Sequence, residues 1–250
     1  MLRCYAHGHT GTTQFFRNRA LLSELATLLA RQETRPIRVL FHACSVGAEP
    51  YSLALWWRHR RGAAAVDAIE IAATDIEPAF LAVARRGVYP ATVLEGLTAE
   101  EQSWFLPHPD GVEVPPDVRA MVQVLAPMSF VDDRVGDDYD AVFIMNALTY
   151  VTAAEQHQAI VQAARVSRCV VGLTAFHPDT IAADVAAAGL VPWLDAQQSI
   201  HEGWGDRLID GPVLPESPYY SFQLPRRRPE VPDAASRYCA LFTPAARQAR

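Results

Sequence analysis

The sequence predicts an α/β fold with a mostly parallel, doubly wound sheet. Short apolar runs alternate with stretches of helical periodicity, and parallel strands need such crossover helices between them. The chain of 250 residues is long enough for one large domain of this kind. Half of its residues are hydrophobic and 20% are charged, which indicates a globular protein rather than a disordered one.

An N-terminal helix and two strand–helix units are predicted in the first part of the chain. Apolar residues recur at helical spacing from Gln14 to Arg31, which favours one amphipathic helix. The units comprise a strand at Ile37–Ala43 with a helix at Tyr51–Arg60, and a strand at Ile69–Thr74 with a helix at Pro78–Arg86. We assign residues 1–34 to an N-terminal helical segment and residues 35–224 to the α/β domain.

The later elements follow a less regular order. Those predicted are a helix at Thr98–Phe105, a loop at Pro107–Pro116, strands at Val118–Leu125, Tyr139–Met145 and Val166–Leu173, a helix at Ala153–Ala164, an alanine-rich helix ending at Gly189, and late strands at Val191–Ile200 and Tyr219–Leu224. The two late strands are expected to pair antiparallel. Residues 225–250 are rich in Pro, Arg and Ala, and we interpret them as a loosely held or disordered tail.

Charge and cysteine content argue against several classes of protein. The net charge of −6 and the pI near 5.7 disfavour a nucleic-acid-binding protein, which normally carries a basic surface. The four cysteines lack metal-ligand spacing, so we expect no metal site and no disulfide framework. Neither a signal peptide nor an apolar run of about 18 residues is recognisable. We therefore expect a cytoplasmic protein that does not associate with a membrane.

The segment Ala43–Ser52 lies where the first predicted strand gives way to its helix. Open parallel sheets bind ligands at this point, because backbone N–H groups and a helix N-terminus converge there. The dinucleotide fingerprint GxGxxG is absent, which favours a cofactor without a pyrophosphate, such as S-adenosylmethionine (SAM). Asp75 closes the second strand, where it either accepts hydrogen bonds from ribose hydroxyls or caps the next helix.

Four sequence blocks resemble those of the chemotaxis receptor methyltransferases of the CheR type. The blocks are TQFFR at Thr13–Arg17, ACSVGAEPYSLA at Ala43–Ala54, ATDIEPAFLAVARRGVY at Ala73–Tyr89 and YDAVFIMNALTYV at Tyr139–Val151. Their order and spacing resemble those of the family across most of residues 10–155. The resemblance implies a Rossmann-like class I methyltransferase domain that binds SAM and releases S-adenosylhomocysteine (SAH), with residues 1–34 covering the cofactor.

The resemblance also implies roles for individual residues. Thr13 and Arg17 would reach over the cofactor, Glu49 would contact its methionyl amino group, and Asp75 would hold its ribose. Tyr150 would lie near the transferred methyl group. The expected cofactor-binding set is Thr13, Phe16, Arg17, Ala43, Ser45, Glu49, Asp75, Ile76, Met128, Ser129, Asn146 and Ala147. Structural alternatives remain for Phe16 as a core residue, for Glu49 as a charge at a helix N-terminus and for Tyr150 as a buried tyrosine.

This chain departs from the family pattern at several positions. Met145 stands where the family has Arg, Met128 and Ser129 stand where it has Asn and Leu, and Ala48 replaces a Glu. The resemblance implies two receptor-docking elements, an N-terminal helical domain and a small β-subdomain, and we expect no room here for either. A small-molecule acceptor, conservatively a carboxylate, is therefore the favoured substrate, because a carboxylate needs no general base. The alternatives are methylation of protein glutamate and SAM binding without turnover.

The acceptor site is predicted under the segment Ile200–Arg207, taken as the connection between the two late strands. His201 can exchange a proton, Trp204 offers a flat apolar wall, and Arg207 can hold a carboxylate bidentately. The expected catalytic residues are Arg17, Tyr150 and His201, and the expected substrate-binding residues are Tyr150, His201, Trp204 and Arg207. The alternative is a plain hairpin turn in which Trp204 closes the end of the core.

Overall fold

The computed structural model describes residues 1–31, 36–132, 136, 138–174, 181–205, 208–209, 224–226 and 238–245. The chain divides into two compact units. The first comprises residues 1–17 and 29–129, and the second comprises residues 18–28 and 130–250. None of the helices in these described ranges has the length and apolar character that a membrane span requires.

The helices and strands alternate along most of the chain. The helices are α1 (Arg19–Ala30), α2 (Ala48–Arg61), α3 (Pro78–Arg86), α4 (Ala99–Gln102), α5 (Pro116–Ala120), α6 (Ala153–Val166), α7 (Ala182–Ala187) and α8 (Gln197–Glu202). The strands are β1 (Leu2–Ala6), β2 (His9–Thr13), β3 (Ile37–His42), β4 (Ile69–Ala73), β5 (Val88–Tyr89), β6 (Leu106–His108), β7 (Gly111–Glu113), β8 (Val122–Val124), β9 (Tyr139–Met145), β10 (Ser167–Thr174), β11 (Leu190–Pro192), β12 (Leu208–Ile209), β13 (Leu224–Pro225) and β14 (Leu241–Pro244). Short 3-10 helices lie at Ala63–Ala68, Ala91–Leu94 and Leu148–Tyr150.

The N-terminal segment contains a β-hairpin that we did not predict. Strands β1 and β2 pair antiparallel through a two-residue turn at His7 and Gly8, both with positive φ (48° and 85°), as in a type I′ turn. The predicted helix from Gln14 to Arg31 begins only at Arg19. The assignment of residues 1–34 as helical is therefore wrong for residues 2–13, because strands of only five residues are too short to show a clear apolar alternation.

The first unit contains three parallel strands in the order β3, β4, β8. Five of the six residues of β3 are buried, as expected for a strand covered on both faces. The predicted strand at Val118–Leu125 is wrong in its first part, which forms α5. The reason is Pro115–Pro116, which places a proline at the start of that helix, where its fixed φ suits the first turn.

A small antiparallel sheet with the order β5, β7, β6 also belongs to the first unit. It occupies most of the segment Pro107–Pro116, which we expected to be a loop, and strands of two or three residues are too short to show periodicity. The expectation that the chain has no room for a small β-subdomain is therefore wrong. The predicted helix at Thr98–Phe105 is shortened to α4, which a capping box between Thr98 and Glu101 begins.

The second unit combines parallel and antiparallel pairing. Strand β9 pairs parallel with β10, β14 pairs antiparallel with β10, and β11 pairs antiparallel with β14. Thus residues 241–244, expected in a loose tail, form a sheet strand, because Leu241 and Phe242 are buried there. The strand predicted at Val191–Ile200 ends at Pro192 and is followed by α8.

The strand predicted at Tyr219–Leu224 lies mostly outside the described residues. Its last residue begins β13, which pairs parallel with β12. The other predicted strands, at Ile37–Ala43, Ile69–Thr74, Tyr139–Met145 and Val166–Leu173, are confirmed within one residue at each end. The fold is therefore the predicted α/β class, with mostly parallel strands and an antiparallel strand late in the chain.

Candidate cofactor site

The loop after β3 has an unusual backbone. Ala43, Ser45 and Gly47 have φ values of 49°, 51° and 89°, and left-handed conformations at residues other than glycine concentrate at functional sites. The Gly47 N–H donates to the Cys44 carbonyl at 2.9 Å, and the helix α2 begins directly after it. A β-carbon on Gly47 would lie 3.0 Å from the Ala84 β-carbon. The loop is thus folded tightly against α3.

Asp75 joins this loop to the end of β4. Its carboxylate is 7% exposed and accepts the Ser45 N–H at 2.8 Å and the Glu77 N–H at 3.0 Å. Burial raises the pKa of this carboxyl. The cap of α3 is Glu77, whose carboxylate accepts the Ala79 N–H at 2.9 Å, so Asp75 does not have the capping role. A carboxylate offers about four acceptor positions, and the remaining ones fit ribose hydroxyls.

Thr13, Arg17 and Glu49 form a polar cluster beside the same loop. The Thr13 hydroxyl donates to Glu49, and an Arg17 guanidinium nitrogen lies 3.4 Å from the other carboxylate oxygen. The guanidinium also donates to the Thr12 carbonyl at 2.8 Å. Glu49 therefore lies at the helix N-terminus and also contacts the TQFFR segment. Its contact with the methionyl amino group stays a prediction.

In the first unit, two buried polar atoms of the expected cofactor-binding residues have no hydrogen-bond partner in the described part of the chain. They are Nε of Arg17 and Oγ of Ser45. A buried donor or acceptor without a partner is unfavourable by about 1–3 kcal/mol. Both atoms belong to residues expected to bind the cofactor, so these orphaned groups fit a polar ligand with a carboxylate and hydroxyls.

The remaining expected residues of the first unit have diverse surroundings. Phe16 is 1% exposed and packs edge-on against Trp104 with ring centroids 5.4 Å apart, so its ring belongs to the core. Its N–H donates to the Ser52 hydroxyl at 2.8 Å. The Met128 N–H donates to the Asp75 carbonyl at 3.0 Å, and Ile76 is 53% exposed.

Comparison with known proteins identifies the family. Residues 11–168 match the family described as CheR methyltransferase, SAM binding domain. This chain belongs to the CheR methyltransferase family. The family's matching domain binds SAM, and SAM is the cofactor of this chain.

Several chemotaxis protein methyltransferases are similar to this CheR-family chain. The protein from Listeria innocua is 33% identical over 150 residues, which cover 58% of this chain and 56% of the relative. The protein from Escherichia coli is 30% identical over 158 residues, covering 60% and 54%. The chain thus matches about half the length of these relatives. Among solved structures, SAM-bound magnesium protoporphyrin IX methyltransferase from Synechocystis is 16% identical with a TM-score of 0.43, covering 70% of this chain and 69% of the other.

The second unit of the CheR-family chain carries the residues expected beside the methyl group. Asn146 follows β9 with a φ of 56°, and its N–H donates to the Thr174 hydroxyl at 2.8 Å. Ala147 is buried, and the Tyr150 N–H donates to its carbonyl at 3.0 Å. Tyr150 is 60% exposed, so the alternative of a buried tyrosine is wrong.

The segment expected to wall the acceptor site has a different structure from the one predicted. His201 lies in α8 and Trp204 directly after it, rather than in a connection between two strands. His201 is 2% exposed and packs against Tyr238 with ring centroids 4.6 Å apart, and Trp204 is 6% exposed. Their burial agrees with the alternative in which Trp204 closes the end of the core, although the segment contains a helix rather than a hairpin turn. Arg207 lies outside the described residues.

Sequence reasoning missed His7, His9 and Glu77. Both imidazoles contact the Glu77 carboxylate. These residues were missed because the histidines precede the first family block and Glu77 is in a typical helix-capping position. The signal available was the His-Gly-His run, because glycine after a residue that tolerates positive φ marks a tight hairpin turn. Among the described side chains, no cluster of His, Cys, Asp and Glu has the arrangement of a metal site.

Proposed function

We propose that this chain transfers the methyl group of SAM to a carboxylate oxygen of a glutamate side chain in a protein. The observation that carries the proposal is the arrangement of two carboxylates beside the loop after β3, one in the first turn of α2 and the other after β4. Glu49 lies with Thr13 and Arg17 where the methionyl group is expected, and Asp75 lies with Ser45 where the ribose is expected. A site with this arrangement suits a ligand that has a cationic amine, a carboxylate and vicinal hydroxyls.

The choice of a carboxylate acceptor follows from the chemistry of the transfer. SAM supplies an electrophilic methyl group, whose transfer to a carboxylate oxygen breaks the carbon–sulfur bond and leaves neutral SAH. A carboxylate is ionised at neutral pH and needs no general base. His42 is poorly suited to be a base, because burial lowers its pKa to about 4. The family's relatives are named for methylation in chemotaxis.

The exposed Tyr150 and the buried His201 and Trp204 favour a protein acceptor over a small molecule. Tyr150, the residue expected nearest the methyl group, is 60% exposed. His201 and Trp204, which a small-molecule pocket would have used as walls, are buried. An exposed aromatic residue suits contact with a large, protruding substrate.

The experiment is a comparison of SAH formation with two classes of acceptor. Purified protein is incubated with SAM and either glutamate-rich chemoreceptor signalling fragments or a panel of small carboxylic acids. We expect SAH only with the protein fragments, and we expect Tyr150→Ala to reduce its formation without changing SAH affinity. Formation of SAH only with small acids would contradict the protein acceptor. SAH binding without turnover on either class would support a SAM-binding protein that lacks activity.

A further inference from the structure

The N-terminal hairpin lies mostly outside the part of the chain that matches the family. The family match begins at residue 11, whereas β1 spans Leu2–Ala6 and β2 spans His9–Thr13. Ala6 pairs with His9 across the turn at His7 and Gly8. The family resemblance therefore assigns no role to the first strand or to the two histidines at the tip.

Both histidines at the tip bind one carboxylate. Nδ1 of His7 lies 3.0 Å from one Glu77 oxygen, and Nδ1 of His9 lies 3.0 Å from the other. The Glu77 side chain is only 2% exposed, although the imidazoles are 78% and 50% exposed. The Ala79 N–H and the two histidines lower the pKa of Glu77 to about 2, so the carboxylate is ionised and fully engaged at neutral pH.

Glu77 is connected in turn to the expected ribose site. Its backbone N–H donates to the Asp75 carboxylate at 3.0 Å, and the other Asp75 oxygen accepts the Ser45 N–H at 2.8 Å. The hairpin tip is therefore two hydrogen bonds away from the carboxylate that is expected to hold the ribose hydroxyls. Glu77 therefore links the tip to that carboxylate.

The middle of β2 lies directly on the cofactor loop. A β-carbon on Gly11 would lie 2.4 Å from Oγ of Ser45 and 2.9 Å from Cε2 of Phe80. Real β-carbons are almost never found this close to another heavy atom, so only glycine permits the observed approach. Ser45 Oγ, buried without a hydrogen-bond partner in the described residues, lies directly beneath this glycine.

The far end of β2 reaches the expected methionyl site. Thr13, the last residue of the strand, donates to Glu49. Strand β2 thus runs from Glu77 at one end, past Ser45, to Glu49 at the other. It follows the expected length of the cofactor from the ribose to the methionyl group.

We infer that the hairpin is a strap that retains the cofactor, and that His7 and His9 are positioning residues that fasten it through Glu77. The contacts of His7 and His9 with Glu77 hold β2 against the loop that carries Ser45. The hairpin must separate from this loop before SAH can be exchanged for SAM. This inference rests on the proposed cofactor site. It concerns the rate at which the cofactor leaves, and it adds no group to the methyl-transfer step.

The test measures the dissociation rate of SAH by stopped-flow competition. In His7→Ala/His9→Ala we expect dissociation about tenfold faster than in the wild type, because two hydrogen bonds to a charged group are lost. In His7→Asn/His9→Asn we expect a rate near that of the wild type, since the Asn amide nitrogen replaces Nδ1 and Asn tolerates the positive φ of residue 7. Tyr5→Ala, on the exposed side of the same hairpin, is the matched control and should leave the rate unchanged.

The possible outcomes distinguish failure of the strap hypothesis from failure of the proposed cofactor site. A wild-type dissociation rate in the double alanine variant, or equally fast release from the asparagine variant, would overturn the strap. Failure of the wild-type protein to bind SAH would overturn the cofactor site itself. If the double variant does not fold, Gly11→Ala provides the second test, with faster release expected because the added β-carbon pushes β2 away from Ser45. Unchanged release from that variant would also overturn the inference.

Discussion

The Asp75 carboxylate accepts the backbone N–H of Ser45 at 2.8 Å, which ties the loop after the first parallel strand to the end of the second. Because the same carboxylate also accepts the Glu77 N–H, both of its oxygens support the polypeptide backbone. The residue expected to bind ribose therefore also shapes the loop on which the cofactor would lie.

Asp75→Asn should weaken SAH binding by about 1–3 kcal/mol, the usual effect of leaving buried hydrogen-bonding groups without a partner. The amide nitrogen would replace an acceptor oxygen and face a backbone N–H at either Ser45 or Glu77. Because two donors would then meet, we also expect a modest loss of stability. Calorimetric titration with SAH measures the first effect. Asp67→Asn, at an exposed position in the same unit, should bind SAH like the wild type, and unchanged affinity in Asp75→Asn would remove the residue from the cofactor site.

Arg17→Gln should weaken SAH binding by a similar amount, about 1–3 kcal/mol, because a charge-assisted contact to the methionyl carboxylate would be lost. Arg86→Gln changes an exposed arginine on α3 and serves as the control in the same titration. If Arg17→Gln keeps its affinity for SAH and only its melting temperature falls, Arg17 is a structural partner of Glu49 and Thr12.

Trp204→Ala should lower the free energy of unfolding by about 3–5 kcal/mol, as expected for removal of a large core side chain. His201→Ala should also destabilise the protein, because its imidazole is buried against Tyr238. Urea unfolding measures both effects. A stable variant at either position that binds SAH normally but loses at least tenfold in methyl transfer, about 1.4 kcal/mol, would return this segment to the acceptor site.

Acid should destabilise the protein partly through His42. Burial lowers the pKa of this imidazole from 6.5 to about 4, so the unfolded chain binds a proton in this range that the folded chain does not. Protonation of His42 therefore has almost no effect on the free energy of unfolding above pH 6.5. It lowers that free energy as the pH decreases towards 4, by about 2 kcal/mol at pH 5. Urea unfolding at pH 7.5 and pH 5 should show a smaller difference for His42→Asn than for the wild type. An equal difference in both proteins would show that other groups cause the acid sensitivity.

The elements predicted best from the sequence are short, mostly apolar and mostly buried strands. Strands at Ile37, Ile69 and Tyr139 fall where expected, because each is a short run of mostly apolar residues that can be recognised without its pairing partner. The hairpin of β1 and β2 was missed because each strand has only five residues, and β2 consists only of Thr, His and Gly. Strand β14 was missed because four residues within a Pro- and Arg-rich segment become a strand only through pairing with β10 and β11.

The location of the cofactor site was predicted from its position in the fold and from the family resemblance. The hydrogen bonds between its residues were not predicted. Loop position alone identified Ala43–Ser52, because the end of a parallel strand is a general ligand site. The link between Asp75 and Ser45 depends on a left-handed backbone at Ser45, which sequence patterns do not reveal for residues other than glycine. The contacts of His7 and His9 with Glu77 join residues about 70 positions apart, which no local pattern encodes.

Methylation of a protein carboxylate produces a base-labile ester, and this lability provides the decisive test. After incubation with SAM that carries a radioactive methyl group and a glutamate-rich receptor fragment, the protein is precipitated and treated with mild alkali. A carboxyl methyl ester hydrolyses under these conditions, so we expect the label to be released as volatile methanol. Label that remains on the protein after this treatment would place the methyl group on nitrogen or an ether oxygen and would contradict methylation of a carboxylate.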